Sequence, residues 1–141
     1  MLSELEFLMA FWLFKQEPSC FSFADLERDG QTTWDGISNA AALKNLRAAK
    51  KGDQVYFYHT GDEKAVVGVM EVASDPRPDP ENEKGVVLDV KFVKRLKNPV
   101  SLAAIKADEA FAAWELVRIS RLSVMPCPPA LWKKIEEMSK A

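Results

Sequence analysis

The polar segment around Trp34 carries the residue types from which a pocket for a flat molecule can be built. Trp34 stands beside Thr33 and the pair Asp35-Gly36, immediately before a segment rich in Ala and Leu. An indole ring offers a flat apolar face, and neighbouring hydroxyl and carboxylate groups can hydrogen-bond the edge of a planar ligand. We therefore expect Trp34 to form one wall of a pocket for such a ligand, most naturally a nucleobase. The residues alone leave a second interpretation open, in which Trp34 anchors the core.

The segment that follows Trp34 has helical periodicity, and we expect a helix over residues 37–51. Asn39 lies on the apolar side of this helix. It either caps the helix N-terminus or presents its amide to the edge of a ligand. Lys44, Arg47 and Lys51 would form one basic stripe, because residues three and four apart share a helix face. The stripe is either a solvated surface or a set of phosphate contacts.

Polar residues also stand at the ends of two predicted strands. Lys15 and Glu17 lie two residues apart at the end of the first strand, over residues 11–15, and therefore could share a face. They form either a solvated ion pair or a charged lip on a pocket. A second strand ends at His59, which is the only histidine in the chain and is typical of a structural residue rather than a catalyst.

The overall composition limits the classes of protein to which this chain can belong. With 141 residues, 48% of them hydrophobic, it is long enough for one domain with one core. The formal net charge of −2 argues against nucleic-acid binding by bulk charge, although a local basic patch is still possible. No apolar run approaches the ~20 residues of a membrane helix. Cys20 and Cys127 form no CxxC pair, so we expect a reduced cytoplasmic protein without a metal site.

We expect a single domain over residues 11–141, preceded by an extension over residues 1–10. The extension is either a disordered terminus or a mis-assigned start, since Met9 could begin the chain. Gly68 in the middle of a predicted strand indicates a bulge or a close approach. The proline-rich acidic segment 74–85 is typical of a mobile loop or lid. The expected fold is a small, partly closed α+β barrel. The remaining expected elements are a short helix from residue 22, a turn over 31–36, a hairpin over 55–73, strands over 86–96 and 121–125, and helices over 99–108 and 129–138.

Five motifs in a fixed order resemble the EVE family, a group of PUA-like barrels related to the YTH readers of methylated adenosine. They are WLFKQEP at residues 12–18, WDGISN at 34–39, the segment 52–60 ending in FYHT, the segment 68–72 beginning with Gly, and RLSVMP at 121–126. The chain departs from the family pattern at Gln16 and Thr60, where the family has serine, and at Ser38, where it has arginine. The change at Ser38 removes a cation beside the expected pocket.

The resemblance implies a PUA-like, partly closed β-barrel with peripheral short helices and without a cofactor. It further implies non-catalytic binding of a flipped-out, modified base of DNA or RNA, which needs an aromatic surface and a few fixed hydrogen-bonding groups. The candidate ligand contacts are Lys15, Glu17, Trp34, Asp35, Gly36, Asn39, Tyr58, His59 and Thr60. The candidate phosphate contacts are Lys44, Arg47 and Lys51.

Two other functions are consistent with the sequence. The first is an amidohydrolase like some ASCH proteins, in which Lys15, Thr60 and Glu71 would form the catalytic group. The second is a protein-interaction module that docks through the acidic segment 74–85.

Overall fold

Two parallel strands at the centre of a mixed sheet organise the fold, which a computed structural model describes over residues 10–141. The strands of this region are β1 (Phe11–Gln16), β2 (Gln31–Trp34), β3 (Gln54–His59), β4 (Ala65–Val72), β5 (Arg77–Asp79), β6 (Asn82–Ser101) and β7 (Val124–Pro126). The helices are α1 (Phe23–Asp29), α2 (Ala40–Ala48), α3 (Leu102–Lys106), α4 (Glu115–Arg118) and α5 (Pro129–Lys140), with a 3₁₀ turn at Glu109–Phe111.

The sheet has the strand order β2-β6-β4-β3-β1-β7, with β5 paired to β6. β1 and β3 are parallel, and the other pairings are antiparallel. Within residues 10–141 the two end strands do not pair with each other, so the sheet stays open. This is the α+β architecture that the sequence predicts. None of the helices described is long and apolar enough to cross a membrane.

The central strands are buried on both faces, as their continuous apolar sequences indicate. On the inner face, Phe57 of β3 meets Trp34 with ring centroids 5.5 Å apart and Phe23 at 5.2 Å. On the outer face, Tyr56 stacks on Trp132 of α5 at 3.7 Å, and its hydroxyl donates to the Trp132 carbonyl at 2.9 Å. β1 and β3 therefore separate two layers, each with its own aromatic cluster.

Local capping signals explain where the short helices begin. Ser22 and Asp25 form a reciprocal capping box at α1, in which each side chain accepts a backbone N–H of the other. Ser101 caps α3 by accepting the Ala104 N–H at 3.1 Å. Both caps, and the helix predicted from Pro129, are confirmed. Gly68 is confirmed as a close approach, because the ring of Phe23 occupies the space that a side chain would fill.

The structure corrects several predicted boundaries. The helix predicted over residues 37–51 spans Ala40–Ala48, because Asn39 caps it and Ala49 returns to an extended conformation. Residues 31–34, predicted as part of a turn, form β2 and pair with β6. The predicted mobile loop 74–85 contains β5, which forms a hairpin with the start of β6. The strand predicted over 121–125 is β7 at Val124–Pro126. The predicted N-terminal extension, apart from Ala10, lies outside the described residues.

Candidate functional site

The predicted single pocket is divided by β1 into two concave sites. The first, which we call the Trp34 cleft, has a volume of about 170 Å³. It is lined by Gln16, Phe21, Thr32, Thr33, Trp34 and Asp35. The second, which we call the lysine cavity, has a volume of about 230 Å³ and contains the side chains of Lys15, Tyr58, Thr60, Lys64 and Lys106.

The alternation of β1 causes this division. Successive side chains of a strand point to opposite faces of the sheet. Phe14 and Gln16 therefore share the inner face, where Phe14 meets Trp34 at 5.6 Å between ring centroids. Lys15 points to the outer face, where its ammonium lies 5.6 Å from the centre of the Tyr58 ring. The register of the parallel pair places Lys15 directly opposite Tyr58.

Trp34 lines the cleft but is far more buried than a free stacking surface would be. Only 2% of the residue is exposed, and its ring packs against Phe14 and Phe57. Its indole N–H is buried and has no hydrogen-bond partner in the part of the chain described. Buried polar groups are almost always paired, and Trp34 lines the cleft, so its unpaired indole N–H is a group that a ligand can satisfy. The half-buried ring of Phe21 adds an aromatic surface to the cleft.

Two of the polar side chains in the cleft already form hydrogen bonds within the protein. The side-chain carbonyl of Gln16 accepts the Glu17 backbone N–H at 3.0 Å, which restrains the orientation of the amide group. The hydroxyl of Thr33 donates to Asp89 at 2.8 Å. Hydrogen bonds from Arg77 and then Thr33 hold the pKa of Asp89 below its ordinary value. Asp35 is exposed and lines the cleft, and its carboxylate, which has no ion-pair partner within residues 10–141, can accept a hydrogen bond.

Lys15 and Glu17 do not form the ion pair that their spacing allowed. The ammonium of Lys15 donates to the backbone carbonyl of Ser120 at 2.9 Å. The carboxylate of Glu17 instead accepts the hydroxyl of Thr60 at 3.1 Å and that of Ser19 at 3.3 Å. The Glu17–Thr60 bond ties the end of β1 to the turn after β3. Glu17 is thus a brace beside the lysine cavity and is absent from its lining.

His59 and Asn39 have structural partners that account for their positions. The Nε2 of His59 accepts the Phe23 backbone N–H at 3.0 Å, and its Nδ1 lies 2.7 Å from a carboxylate oxygen of Glu63. The neutral ring must therefore carry its proton on Nδ1, and both nitrogens are engaged. The Asn39 side chain accepts the Ala42 N–H at 3.0 Å, which makes it the helix cap. Both residues lie outside the linings of the two sites.

The predicted basic stripe is not continuous. Lys51 follows the end of α2 and therefore does not share a helix face with Lys44 and Arg47. Arg47 donates to the Lys84 carbonyl at 3.3 Å and lines a shallow depression beside the β5–β6 hairpin. Gly36 has a φ of 75° and follows the cleft residues without lining it. That Lys44, Arg47 or Lys51 contacts a phosphate stays a prediction.

The catalytic group considered for an amidohydrolase is not assembled. Glu71 pairs across the sheet with Gln54, at the opposite end of β3 from Thr60. Thr60 lies six residue steps along the extended chain from Gln54, which at ~3.3 Å per step places Glu71 about 20 Å from Thr60. Glu71 is also occupied, since it accepts from Gln54 at 2.8 Å and pairs with Lys91 at 3.1 Å. Among residues 10–141 there is also no cluster of three His, Cys, Asp or Glu that could hold a metal.

The sequence interpretation missed residues of both sites. Gln16 could have been assigned to the cleft, because it lies two residues after Phe14 and shares its face of β1. Phe21 gives no such signal, since it precedes α1 in an irregular segment. Lys64 and Lys106 reach the lysine cavity through the β3–β4 turn and through α3. Only the tertiary structure brings them to Lys15.

Comparisons with known proteins place this fold and these motifs among relatives. A family model described as the EVE domain matches residues 10–138. Human thymocyte nuclear protein 1 is 32% identical over an alignment of 131 positions, which covers 73% of this chain and 58% of that protein. The chain therefore spans less than two thirds of the length of this curated relative.

Solved structures share the fold over nearly its whole extent. The structure of a Rhodopseudomonas palustris protein has a TM-score of 0.89 and 37% identity, and the match covers 94% of each chain. The structure of the human THYN1 protein in complex with DNA that contains 5-methylcytosine has a TM-score of 0.86 and 25% identity. That match covers 94% of this chain and 98% of the other.

Proposed function

Because the chain belongs to the EVE domain family, we propose that it binds a modified base of DNA in the Trp34 cleft without reacting with it. The observation that carries this proposal is the relative in complex with 5-methylcytosine DNA, whose fold superimposes on 94% of this chain. A 5-methylcytosine that leaves the base stack is accordingly the first ligand to test.

The size and lining of the cleft support a base as the occupant. Its volume of about 170 Å³ is smaller than the ~300–1,000 Å³ of pockets for drug-sized ligands and suits a single flat ring. Phe21 offers an aromatic surface, which can replace part of the stacking that an extruded base loses, worth ~1–3 kcal/mol per base. An aromatic ring is also a suitable apolar neighbour for a 5-methyl group.

Hydrogen bonding in the cleft matches the edge of cytosine. The unpaired indole N–H of Trp34 can donate to a ring nitrogen or carbonyl oxygen of the base. The free carboxylate of Asp35 can accept from the exocyclic amino group, as acidic side chains do from cytosine. In this proposal Trp34 acts through the N–H at its edge, and Phe21 takes the stacking role that the sequence assigned to the Trp34 ring.

The test compares oligonucleotides that differ in one methyl group. Fluorescence anisotropy is measured with labelled DNA, single- and double-stranded, that carries cytosine or 5-methylcytosine at one position, and with the corresponding RNA. We expect tighter binding of the methylated DNA. The products are also analysed after incubation, and an altered base would contradict a purely binding role.

Two exposed carboxylates provide a matched pair of variants. Asp35→Ala removes the proposed acceptor, whereas Glu137→Ala removes the same charge from the exposed face of α5, away from both sites. Loss of a hydrogen bond that involves a charged group, worth about 1.5–3 kcal/mol, should weaken binding by Asp35→Ala about 10-fold or more. Equal effects of the two variants, or equal affinity for methylated and unmethylated DNA, would refute the proposal.

Ser38 offers a further test, because the family pattern has an arginine there. Restoring a cation beside the cleft with Ser38→Arg should add about one phosphate contact. The logarithm of affinity should then fall more steeply with the logarithm of salt concentration, by ~0.9 for a duplex. An unchanged salt dependence would place Ser38 away from the bound backbone.

A further inference from the structure

The lysine cavity brings three ammonium groups together without a carboxylate in its lining. Lys15 comes from β1, Lys64 from the β3–β4 turn and Lys106 from the end of α3. These three side chains take part in no ion pair within residues 10–141. The lining therefore carries a formal charge of +3, although the chain as a whole carries −2. Glu17 borders the cavity and offsets part of this charge, but three ammonium groups against one carboxylate still leave an excess of positive charge that favours an anion.

Lys15 is the most constrained of the three cations. It is half-buried above the Tyr58 ring, which is 3% exposed, and it donates to the Ser120 carbonyl. An ammonium has three donors, so two N–H groups remain after this contact. Burial lowers the pKa of Lys15 below its ordinary value of 10.5. An anion in the cavity would relieve this penalty, because an opposite charge stabilises the ammonium form.

The backbone fixes the position of Lys64 at the same cavity. Lys64 has a φ of 46°, in the left-handed region that a side chain with a Cβ rarely adopts. Its carbonyl accepts the Leu102 N–H at 2.8 Å, which joins the turn to the start of α3. Strained conformations of this kind are maintained only where surrounding contacts impose them, and they concentrate at functional sites.

We propose that the lysine cavity binds a phosphate group, and that it does so independently of the Trp34 cleft. Three ammonium groups match the two charges of a phosphate monoester better than the single charge of a carboxylate. Lysine binds phosphate as a point charge, which suits donors that converge from three separate elements. Leu102, Leu116 and Val117 provide an apolar wall for the group to which the phosphate is attached.

The phosphate can belong to a free nucleotide or to the backbone of a bound nucleic acid strand. The cavity and the Trp34 cleft lie on opposite faces of β1, so one nucleotide does not fill both. The experiment therefore uses inorganic phosphate, cytidine monophosphate and a DNA oligonucleotide as separate probes at constant ionic strength. Binding is followed by the amide resonances of the full chain, with the resonances of Lys64 and Val117 as local reporters.

Lys106→Gln and Lys64→Gln are the test variants, and Lys133→Gln is the matched control. Lys133 is an exposed lysine of α5 and forms no ion pair with any described residue. Each test variant should weaken phosphate binding about 5- to 10-fold, which corresponds to roughly 0.9–1.4 kcal/mol. The control should change it less than twofold. The pKa of the Lys15 ammonium, measured from its side-chain resonances, should rise when phosphate is added.

The outcomes separate the sources and keep this site distinct from the proposed base site. Weakened binding of inorganic phosphate and nucleotide supports a free phosphorylated ligand. A loss confined to the oligonucleotide, and larger in the test variants than in the control, supports a backbone phosphate. No response to any probe, or equal loss in Lys133→Gln, overturns the proposal. Unphosphorylated 5-methylcytidine reports on the Trp34 cleft alone, so its binding can persist when phosphate binding fails.

Discussion

Adding one methyl group at Gly68 should distort the inner layer of the sheet. A Cβ at this position would lie 2.1 Å from the nearest carbon of the Phe23 ring, well inside the ~3.5–4.0 Å of ordinary carbon contacts. The ring has little room to withdraw, because it packs against Phe57 at 5.2 Å and Phe92 at 5.4 Å. The backbone N–H of Phe23 also donates to His59, which fixes the main chain at this position. Overpacking of a core costs ~1–3 kcal/mol, and we expect Gly68→Ala to reach about 3 kcal/mol.

A double-mutant cycle isolates the clash from a general effect of alanine in the strand. Urea unfolding is measured by tryptophan fluorescence for Gly68→Ala, Phe23→Leu and the double variant. Leucine lacks the ring atoms that meet the new Cβ, so Gly68→Ala should cost under about 1 kcal/mol in the Phe23→Leu background, an interaction energy of roughly 2 kcal/mol. Additive effects within about 0.5 kcal/mol would refute the packing argument. Phe23 begins α1 and stands two residues after Phe21, which lines the Trp34 cleft. A displacement of Phe23 by Gly68→Ala should therefore also weaken base binding.

Three further predictions concern buried or paired groups elsewhere in the chain. Asp53 is 6% exposed, and its carboxylate accepts the Trp12 indole N–H at 2.9 Å and the backbone N–H groups of Lys50 at 2.9 Å and Ala10 at 3.3 Å. Asp53→Ala should therefore cost about 2–5 kcal/mol in urea unfolding by leaving three donors unpaired, and a cost under 1 kcal/mol would contradict this. The pKa of Asp89 is lowered in the folded protein, so its contribution to the free energy of unfolding is fully present above pH 3.8 and is lost as the pH falls below that value. Asp89→Asn should therefore reduce the loss of stability in acid, measured by urea unfolding at several pH values. An unchanged pH profile would contradict this. Burial raises the pKa of the Cys127 thiol, whereas Cys20 is exposed. A thiol reagent should therefore label Cys20 alone in the native protein and both cysteines after unfolding. Labelling of both cysteines in the native protein would contradict the packing around β7.

Local signals in the sequence were sufficient for much of the fold. Ser22 and Ser101 mark the starts of their helices through hydrogen bonds within one turn, and the continuous apolar sequences of β1 and β3 indicate burial on both faces. The errors fall where pairing is long-range. Residues 31–34 become a strand because they pair with residues 88–91, and residues 77–79 because they pair with the start of β6. Short polar segments such as these two carry no local sign of such partners.

The candidate sites show the same limit. The motifs correctly identified the family, and the assignment of a ligand site around Trp34 stays a prediction. The sequence interpretation grouped Lys15 with Trp34, whereas the structure places them in different concave sites. Phe14 and Gln16 face Trp34, and Lys15 between them points to the opposite face of the sheet. That separation was available from strand alternation. The convergence of Lys15 with Tyr58 was not, since it depends on the parallel register of two strands more than forty residues apart.

The indole N–H of Trp34 gives the most direct test that a modified base occupies the Trp34 cleft. Each of the four tryptophans has an indole resonance in a nitrogen–proton correlation spectrum. The indole groups of Trp12 and Trp114 already donate to Asp53 and to the Pro126 carbonyl. Adding DNA with a single 5-methylcytosine should shift the Trp34 resonance strongly, with little change at Trp12 and Trp114 and a smaller effect from unmethylated DNA. A Trp34 resonance that stays in place while the DNA binds would contradict the proposed site.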